Sequence, residues 1–287
     1  MRLVTYALNE QERVGVLIDG RVHDAGYDGT MIDLITEDHF RLGEIERHAR
    51  AASPLPDARL RAPLRPRTMR DFLTFERHLH NVFSRLGREI SQEWYRVPGY
   101  YKGMPDTVIG PEDEIPWPAY SEFLDHELEL AAVIGRPGRD IPPERAHEHI
   151  FGWTIWNDLS ARDVQAIELP LNMGPGKAKD WDGSNVLGPC IVTADELDAT
   201  DTKMAVRVNG ETWGEASSAE MHHSFADLIA YASRDQQLYP GEVFGSGTAP
   251  GGSGIELDRR LKPADVIEME IEGIGILRNR VGQRQGR

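Results

Sequence analysis

The sequence is poor in cysteine, in long apolar runs and, relative to acidic residues, in basic ones. One cysteine among 287 residues, Cys190, excludes an intrachain disulfide and is typical of a reducing compartment. With 32 basic against 47 acidic residues the net charge is -15, which disfavours a nucleic-acid backbone as a partner. No stretch approaches the roughly 18 apolar residues of a membrane helix, and the N-terminus lacks the apolar core of a signal peptide. We therefore expect a cytoplasmic protein without a membrane partner.

A glycine loop that binds phosphate is also missing. The glycines at 245–247 and 251–254 have no lysine partner, and no helix is predicted after them, which favours simple loops over a nucleotide site. Short strand signals separated by turns fill most of the chain, with few helical segments between them. This pattern argues against a doubly wound sheet and predicts a β-rich α+β fold.

Strand and turn signals divide the chain into two unequal parts. Residues 2–24 predict a β-hairpin around Asp19-Gly20, and helical spacing follows from 31 to 52. Prolines between 54 and 66 then interrupt regular structure. We place a small β-rich N-terminal domain at residues 1–66 and a larger catalytic domain at residues 67–287.

The larger domain opens with helical spacing over residues 72–86, for which Asp71 is a candidate N-cap. His78 lies within this predicted helix. Further strands are predicted at 151–158, 203–208 and 266–271, and a short helix at 225–233.

Two neighbouring acids in the larger domain are arranged as metal ligands often are. The alternation in Glu127-Leu128-Glu129-Leu130 predicts a strand, which places Glu127 and Glu129 on one face and the leucines on the other. Two adjacent carboxylates beside an apolar run repel each other and resist desolvation, so a positive charge is expected between them. A solvated strand face is the alternative for such a pair taken alone.

Asp158 strengthens the metal hypothesis. It ends the apolar segment 151–158, which predicts a buried strand with the acid at its end. Three oxygen ligands without cysteine or an obligatory histidine favour magnesium, manganese or calcium over zinc or copper. The spacing leaves the choice among these three cations open.

Several motifs, in matching order, resemble the fumarylacetoacetate hydrolase family between residues 68 and 281. They are Arg70-Asp71-Phe72, Phe75-Glu76-Arg77-His78, Pro98-Gly99-Tyr100-Tyr101, Asp125-His126-Glu127-Leu128-Glu129, Asn157-Asp158-Leu159-Ser160-Ala161-Arg162-Asp163-Val164-Gln165, the 179–189 loop and Gly245-Ser246-Gly247-Thr248. The resemblance implies a mixed β-roll catalytic domain, a homodimer and a divalent cation held by carboxylates. It also implies that Glu127, Glu129 and Asp158 are metal ligands, and that Asp71 matches a fourth acid found in the branch that cleaves fumarylacetoacetate.

The resemblance implies roles for further side chains. His78 corresponds to the general base of the family, and Glu256 to the acid that orients this histidine. The positions that contact developing negative charge in the family correspond to Arg162, Gln165 and Lys179. The positions that contact substrate correspond to Tyr101 and Thr248.

These residue types support hydrolytic cleavage of a carbon–carbon bond in a β-diketone acid, such as an acylpyruvate or a compound like fumarylacetoacetate. A divalent cation with open positions polarises a carbonyl, and a histidine takes a proton from water near neutral pH. An isomerase, tautomerase or decarboxylase of 2-oxo dicarboxylates on the same metal site is the alternative, and a non-catalytic binding scaffold is a third possibility. In each case the predicted partner is a small 2-oxo or 1,3-dicarbonyl acid.

Overall fold

The computed structural model describes residues 1–37, 39–85 and 87–284 of the chain. Its strands form one large mixed sheet, a five-stranded sheet and a two-stranded pair, and its helices are short. The fold is therefore the β-rich α+β type that the strand and turn signals predict.

Eighteen strands and six α-helices lie in this part of the chain. The strands are β1 Arg2–Leu8, β2 Gln11–Ile18, β3 Arg21–Asp24, β4 Arg59–Leu60, β5 Met69–Phe72, β6 Tyr100–Gly103, β7 Val108–Ile109, β8 Glu114–Ile115, β9 Leu124–Asp125, β10 Leu128–Ile134, β11 Ile150–Asp158, β12 Ser160–Ala161, β13 Asn185–Thr193, β14 Lys203–Val208, β15 Glu211–Ser217, β16 Val243–Gly245, β17 Val266–Ile271 and β18 Gly275–Val281. The helices are α1 Met31–Thr36, α2 Leu42–Ala51, α3 Glu76–Arg85, α4 Arg162–Glu168, α5 Phe225–Ala232 and α6 Gly254–Leu257. None of the described helices combines the length and apolarity needed to cross a membrane.

The large sheet has the strand order β3-β2-β1-β13-β11-β10-β16-β5-β6, with β4 beside β1 and β7 beside β13. Most neighbouring strands are antiparallel, whereas β16–β5 and β13–β7 run parallel. The small sheet has the order β15-β14-β17-β18-β8. The two Gly-containing turns that the sequence indicates, Asp19-Gly20 and Asn209-Gly210, join β2 to β3 and β14 to β15.

Both faces of the large sheet are covered at β10. Leu130 belongs to a core cluster with Val206 and Met269 of the small sheet. Ala131 points the other way, into a second cluster that contains Leu34 of α1. Glu129 shares the face of Ala131, because side chains alternate along a strand. The strand that carries this acid is thus withdrawn from water on both sides.

Residues 1–66 contribute strands to the same large sheet. Leu3 on β1 lies opposite Ile191 on β13, so the hydrogen-bonded sheet continues from the N-terminal residues into the rest of the chain. The predicted helical stretch from 31 to 52 is divided into α1 and α2, with a 3₁₀ turn at His39–Arg41 between them. The division of the chain at residue 66 stays a prediction.

The predicted helix at 72–86 is wrong in its first part. Asp71 is not a helix N-cap but lies on β5, and α3 begins only at Glu76. Phe72 and Phe75, whose spacing suggested a longer helix, are buried in the core instead. The pairing of β5 with β16 and β6 explains the difference, because a central strand outweighs local helical periodicity. Leu86, the last residue of that prediction, lies outside the described residues.

The expectation that no helix follows the glycines at 251–254 is also wrong. Helix α6 begins at Gly254, and the carboxylate of Asp125 accepts hydrogen bonds from Gly254 N over 2.9 Å and Ile255 N over 3.0 Å. A residue far away in the sequence therefore caps this helix, which local patterns do not reveal. The short helix predicted at 225–233 is confirmed as α5.

Replacing Ile191 by Ala is expected to lower the free energy of unfolding by about 2–5 kcal/mol, because burial of this side chain is complete where β13 meets β1. The matched control is Ile276→Ala on β18, where the side chain is 43% exposed. There we expect a loss below about 1 kcal/mol. Urea unfolding followed by circular dichroism measures both variants, and equal losses would contradict tight packing at the junction of β1 and β13.

Candidate metal and active site

Three carboxylates converge in the large sheet. Asp71 lies on β5, Glu129 on β10 and Asp158 at the end of β11, and one ligand oxygen from each lies within 4.8 Å of those from the other two. All three side chains are buried. The strand order explains the meeting, since β16 alone separates β5 from β10, and β11 is the other neighbour of β10.

A glycine leaves room for this acid cluster. Gly245 on β16 lies opposite Asp71 on one side and opposite Ala131 on the other. A Cβ atom added to Gly245 would lie 2.5 Å from Glu129 Oε2 and 2.7 Å from the ring of Trp156. A larger residue at this position would therefore displace the Glu129 carboxylate.

The oxygens of the cluster fit a hard divalent cation. Among the described residues, Asp71 Oδ1 and both carboxylate oxygens of Glu129 have no hydrogen-bond partner. Buried polar atoms are normally paired, and carboxylate oxygens are the preferred ligands of magnesium, manganese and calcium. The structure brings together three of the four acids that the sequence predicts as ligands.

Burial controls the protonation of the cluster. The loss of surrounding water raises the pKa of Asp71 well above its usual range, and the charge of Asp158 raises it further. Burial and the charge of Asp71 also raise the pKa of Glu129 well above its usual range. The pKa of Asp158 is also raised by burial, against the lowering effect of Lys179. A cation beside these groups would favour their ionised forms instead.

Glu127, the fourth predicted ligand, lies outside this group. It precedes β10 and forms an isolated bridge with Ser253. Its Oε1 lies 2.6 Å from Arg162 Nη2, and its Oε2 lies 2.6 Å from Lys179 Nζ. Burial favours the neutral acid, but the two cationic side chains outweigh burial and hold the pKa of Glu127 below its usual range.

Lys179 and Tyr101 both contact Asp158. The Lys179 ammonium binds Asp158 Oδ2 in addition to Glu127, and the Tyr101 hydroxyl donates to Asp158 Oδ1 over 2.7 Å. Burial alone would lower the pKa of Lys179, but the charges of Asp158 and Glu127 raise it above its usual value. Lys179 is therefore a permanent positive charge at the edge of the acid cluster.

Arg162 supplies a second buried positive charge. It is the first residue of α4, and its Nε donates to Asp125 Oδ2 over 2.9 Å. Its Nη1 donates to Gln165 Oε1 over 3.0 Å, so the predicted site residue Gln165 is linked to the site through Arg162. Thr248, the other predicted substrate contact, is buried in the segment after β16.

His78 and Glu256 form a pair between two helices. His78 Nδ1 on α3 lies 3.0 Å from Glu256 Oε2 on α6. The other oxygen of Glu256 accepts hydrogen bonds from Asn81 Nδ2 over 3.0 Å and from Gly251 N over 3.1 Å. Burial opposes ionisation of Glu256, but His78 together with the hydrogen bonds from Asn81 and Gly251 outweighs burial and lowers the pKa of Glu256. The structure therefore places an ionised carboxylate beside the imidazole of His78.

Sequence reasoning missed two residues that support the site, Asn81 and Asp125. Asn81 follows His78 by three positions on α3, so helical spacing places them on one face and offers a signal that was available. Asp125 joins Arg162 to the start of α6, the helix that carries Glu256. Its position in the acid motif marks Asp125 as notable, but no local pattern indicates that long-range contact.

Residues 67–282 match the family model described as Fumarylacetoacetate (FAA) hydrolase C-terminal. The chain belongs to the fumarylacetoacetate hydrolase family. Among curated relatives, an uncharacterized protein of Pyrococcus abyssi is 35% identical over 194 residues, which are 68% of this chain and 84% of that protein. The mitochondrial oxaloacetate tautomerase of Rattus norvegicus is 30% identical over 282 residues, which are 93% of this chain and 84% of the tautomerase.

Solved structures of family members share the fold. The fumarylacetoacetate hydrolase of the psychrophilic Exiguobacterium antarcticum has a TM-score of 0.83 at 31% identity, covering 99% of this chain and 100% of that one. Maleylpyruvate hydrolase from Sphingobium, solved with manganese(II) and pyruvate, has a TM-score of 0.80 at 24% identity, with coverage of 99% and 100%. At that identity the second likeness shows the fold alone.

Stability without divalent cations is expected to fall as the pH rises from about 5 to 8. The raised pKa values of Asp71, Glu129 and Asp158 mean that the folded protein keeps protons that the unfolded chain loses above about pH 4. Manganese should restore stability, with the larger gain at pH 8, because the ion replaces these protons. Scanning calorimetry with and without a chelator measures the effect, and a gain that is the same at both pH values would count against it.

Gly245→Ala should weaken manganese binding by about 10- to 100-fold, because the added methyl group displaces the Glu129 carboxylate. The control is Gly43→Ala in α2, where the nearest atom to an added Cβ is Arg47 Nη1 at 3.7 Å. Titration calorimetry measures both affinities, and circular dichroism establishes that both variants are folded. An unchanged affinity in folded Gly245→Ala would show that this glycine does not protect the cation site.

Proposed function

We propose that the protein is a divalent-cation-dependent hydrolase that cleaves a carbon–carbon bond in a small β-diketone acid, such as an acylpyruvate or a compound like fumarylacetoacetate. The observation that carries the proposal is the His78–Glu256 pair, a base and its orienting acid. The imidazole of His78 lies close enough to Glu127 to lower the pKa of that acid, although Arg162 and Lys179 lower it more. A homodimer and a cytoplasmic location stay predictions.

The chain offers a ligand set for the cation. Asp71, Glu129 and Asp158 would hold it, and Glu127 is the further acid within the same buried region. These oxygens suit magnesium, manganese or calcium. When bound, such a cation polarises a carbonyl oxygen of the substrate and stabilises negative charge on the departing enolate.

In this proposal His78 is the base that activates water. Glu256 Oε2 lies 3.0 Å from His78 Nδ1. The proposed role of the carboxylate is to keep the proton of the imidazole on Nδ1, which leaves Nε2 as the proton acceptor. Glu256 then stabilises the imidazolium that forms when Nε2 takes a proton from water. Asn81 and Gly251 hold the other carboxylate oxygen, which keeps Glu256 from rotating away.

The remaining steps follow from this proton transfer. Hydroxide adds to one carbonyl carbon, and the bond from that carbon to the neighbouring CH₂ breaks, with its electron pair passing to the enolate. The enolate takes up a proton, so the products are one carboxylic acid and one oxo acid. The oxo acid is a 2-oxo acid when the substrate is an acylpyruvate and a 3-oxo acid when it is a compound like fumarylacetoacetate. Lys179 and Arg162 supply fixed positive charge where negative charge develops, which is often the largest contribution to catalysis.

Tautomerisation of a 2-oxo dicarboxylate is the second candidate. The relative from Rattus norvegicus, which aligns over 93% of this chain, is named an oxaloacetate tautomerase. The same base can move a proton between carbon and oxygen without any attack by water. The oriented His78 serves either reaction, so the identity of the products separates them.

Product analysis with a panel of acylpyruvates, fumarylacetoacetate-like acids and oxaloacetate, in the presence of magnesium or manganese, tests the proposal. We expect cleavage into two acids, and we expect His78→Asn to lower kcat by about 10²- to 10⁴-fold because the base is lost. His147→Asn is the control, since His147 is exposed in a 3₁₀ turn before β11. Conversion of oxaloacetate without any cleavage of the other acids would favour the tautomerase, and binding without turnover would favour a scaffold.

A further inference from the structure

The carboxylate of Glu168 accepts hydrogen bonds from three consecutive backbone N–H groups. Gly176 N donates to its Oε2 over 2.9 Å, Lys177 N donates to its Oε1 over 2.7 Å, and Ala178 N donates to Oε2 over 3.2 Å. Consecutive N–H groups that converge in this way form a concave site for an anion. The carboxylate therefore closes the start of the 3₁₀ turn Lys177–Lys179.

The position of Glu168 in its own helix is unfavourable. It is the last residue of α4, where the helix dipole disfavours a negative charge. The three N–H groups of the following turn offset this cost. The hydrogen bonds across the loop therefore account for a carboxylate at this position, whereas the helix that carries Glu168 does not.

The segment between Glu168 and the turn is largely exposed to solvent. Leu171 and Met173 within it are 68% and 87% exposed. Tyr120 and Ser184 bind carbonyl groups of the turn, donating to Lys177 O over 2.9 Å and to Lys179 O over 3.0 Å. Glu168 is the side chain that holds the N–H side of the same turn.

A closed chain of contacts connects this anchor to the site. Arg162, the first residue of α4, and Lys179, the last residue of the turn, bind the two oxygens of Glu127. Glu168 at the other end of α4 joins the helix to the turn. One short helix therefore fixes the distance between the two positive charges that the reaction uses.

We propose that Glu168 is a positioning residue that acts through Lys179. The proposal rests on the proposed function, in which the Lys179 ammonium stabilises developing negative charge. Glu168 itself touches neither the acid cluster nor its cationic partners in any contact of the described residues, so its effect on turnover passes through the turn.

A double-mutant cycle tests the proposal. Glu168→Gln keeps the shape of the side chain but turns an NH₂ group toward backbone N–H groups, so we expect kcat to fall about 10- to 100-fold with a smaller change in KM. Lys179→Met should lower kcat about 10²- to 10³-fold. If Glu168 acts through Lys179, adding Glu168→Gln to Lys179→Met lowers kcat no further. Additive losses, or an unchanged kcat in Glu168→Gln, would overturn the proposal.

Glu148→Gln is the matched control for this cycle. Glu148 is a surface carboxylate that pairs with Arg136 and Arg145, and it lies before β11, at the opposite end of that strand from Asp158. We expect kcat within about twofold of the unmodified enzyme, because surface ion pairs contribute little. A loss as large as that of Glu168→Gln would assign the effect to surface charge in general.

Two readouts need no turnover. Amide hydrogen exchange at residues 176–178 should become about tenfold faster in Glu168→Gln, and acetylation of Lys179, which is 5% exposed, should accelerate relative to Lys203. If the unmodified protein cleaves none of the substrates, the proposed function fails while these readouts still decide whether Glu168 holds the turn. Unchanged exchange and acetylation would reject the positioning role even in an active enzyme.

Discussion

Buried carboxylate charge is the constraint on which this site depends. Asp71 and Glu129 lie on strands of a sheet whose faces are covered, and neither has a cationic side-chain partner among the described residues. Ionised together they carry two negative charges, which is the charge that one divalent cation offsets. Glu127 and Asp158 differ, because Lys179 and Arg162 already neutralise much of their charge. Without such compensation, charges withdrawn from water cost several kcal/mol each.

The site divides its tasks between two kinds of structure. The three clustered acids lie on strands of the large sheet, where hydrogen bonds on both sides hold the backbone. His78, Glu256 and Arg162 lie on short helices, and Lys179 lies on a 3₁₀ turn. Rigid strands suit ligands that must keep a fixed geometry.

Much of this architecture could be predicted from local patterns. Alternating residues and turn dipeptides predict the β2–β3 hairpin and the β14–β15 hairpin. The family motifs predict that the clustered acids and the His78–Glu256 pair belong to one site. The strand identity of Asp71 was not predictable in this way, because β16 and β6 on either side determine it. Nor were the partners of Glu127, since its contacts with Lys179 and Arg162 arise only when the chain folds back.

The pairing of β1 with β13 joins the predicted N-terminal domain to the predicted catalytic domain. β13 is also hydrogen-bonded to β11, the strand that ends in Asp158. Removing the N-terminal strands would leave part of β13 as an open edge, with unpaired backbone groups and the apolar side chain of Ile191 exposed. Open edges of this kind recruit strands from other molecules. A shortened catalytic fragment would thus be prone to self-association, and the N-terminal segment serves as the covering strand that keeps the sheet closed there.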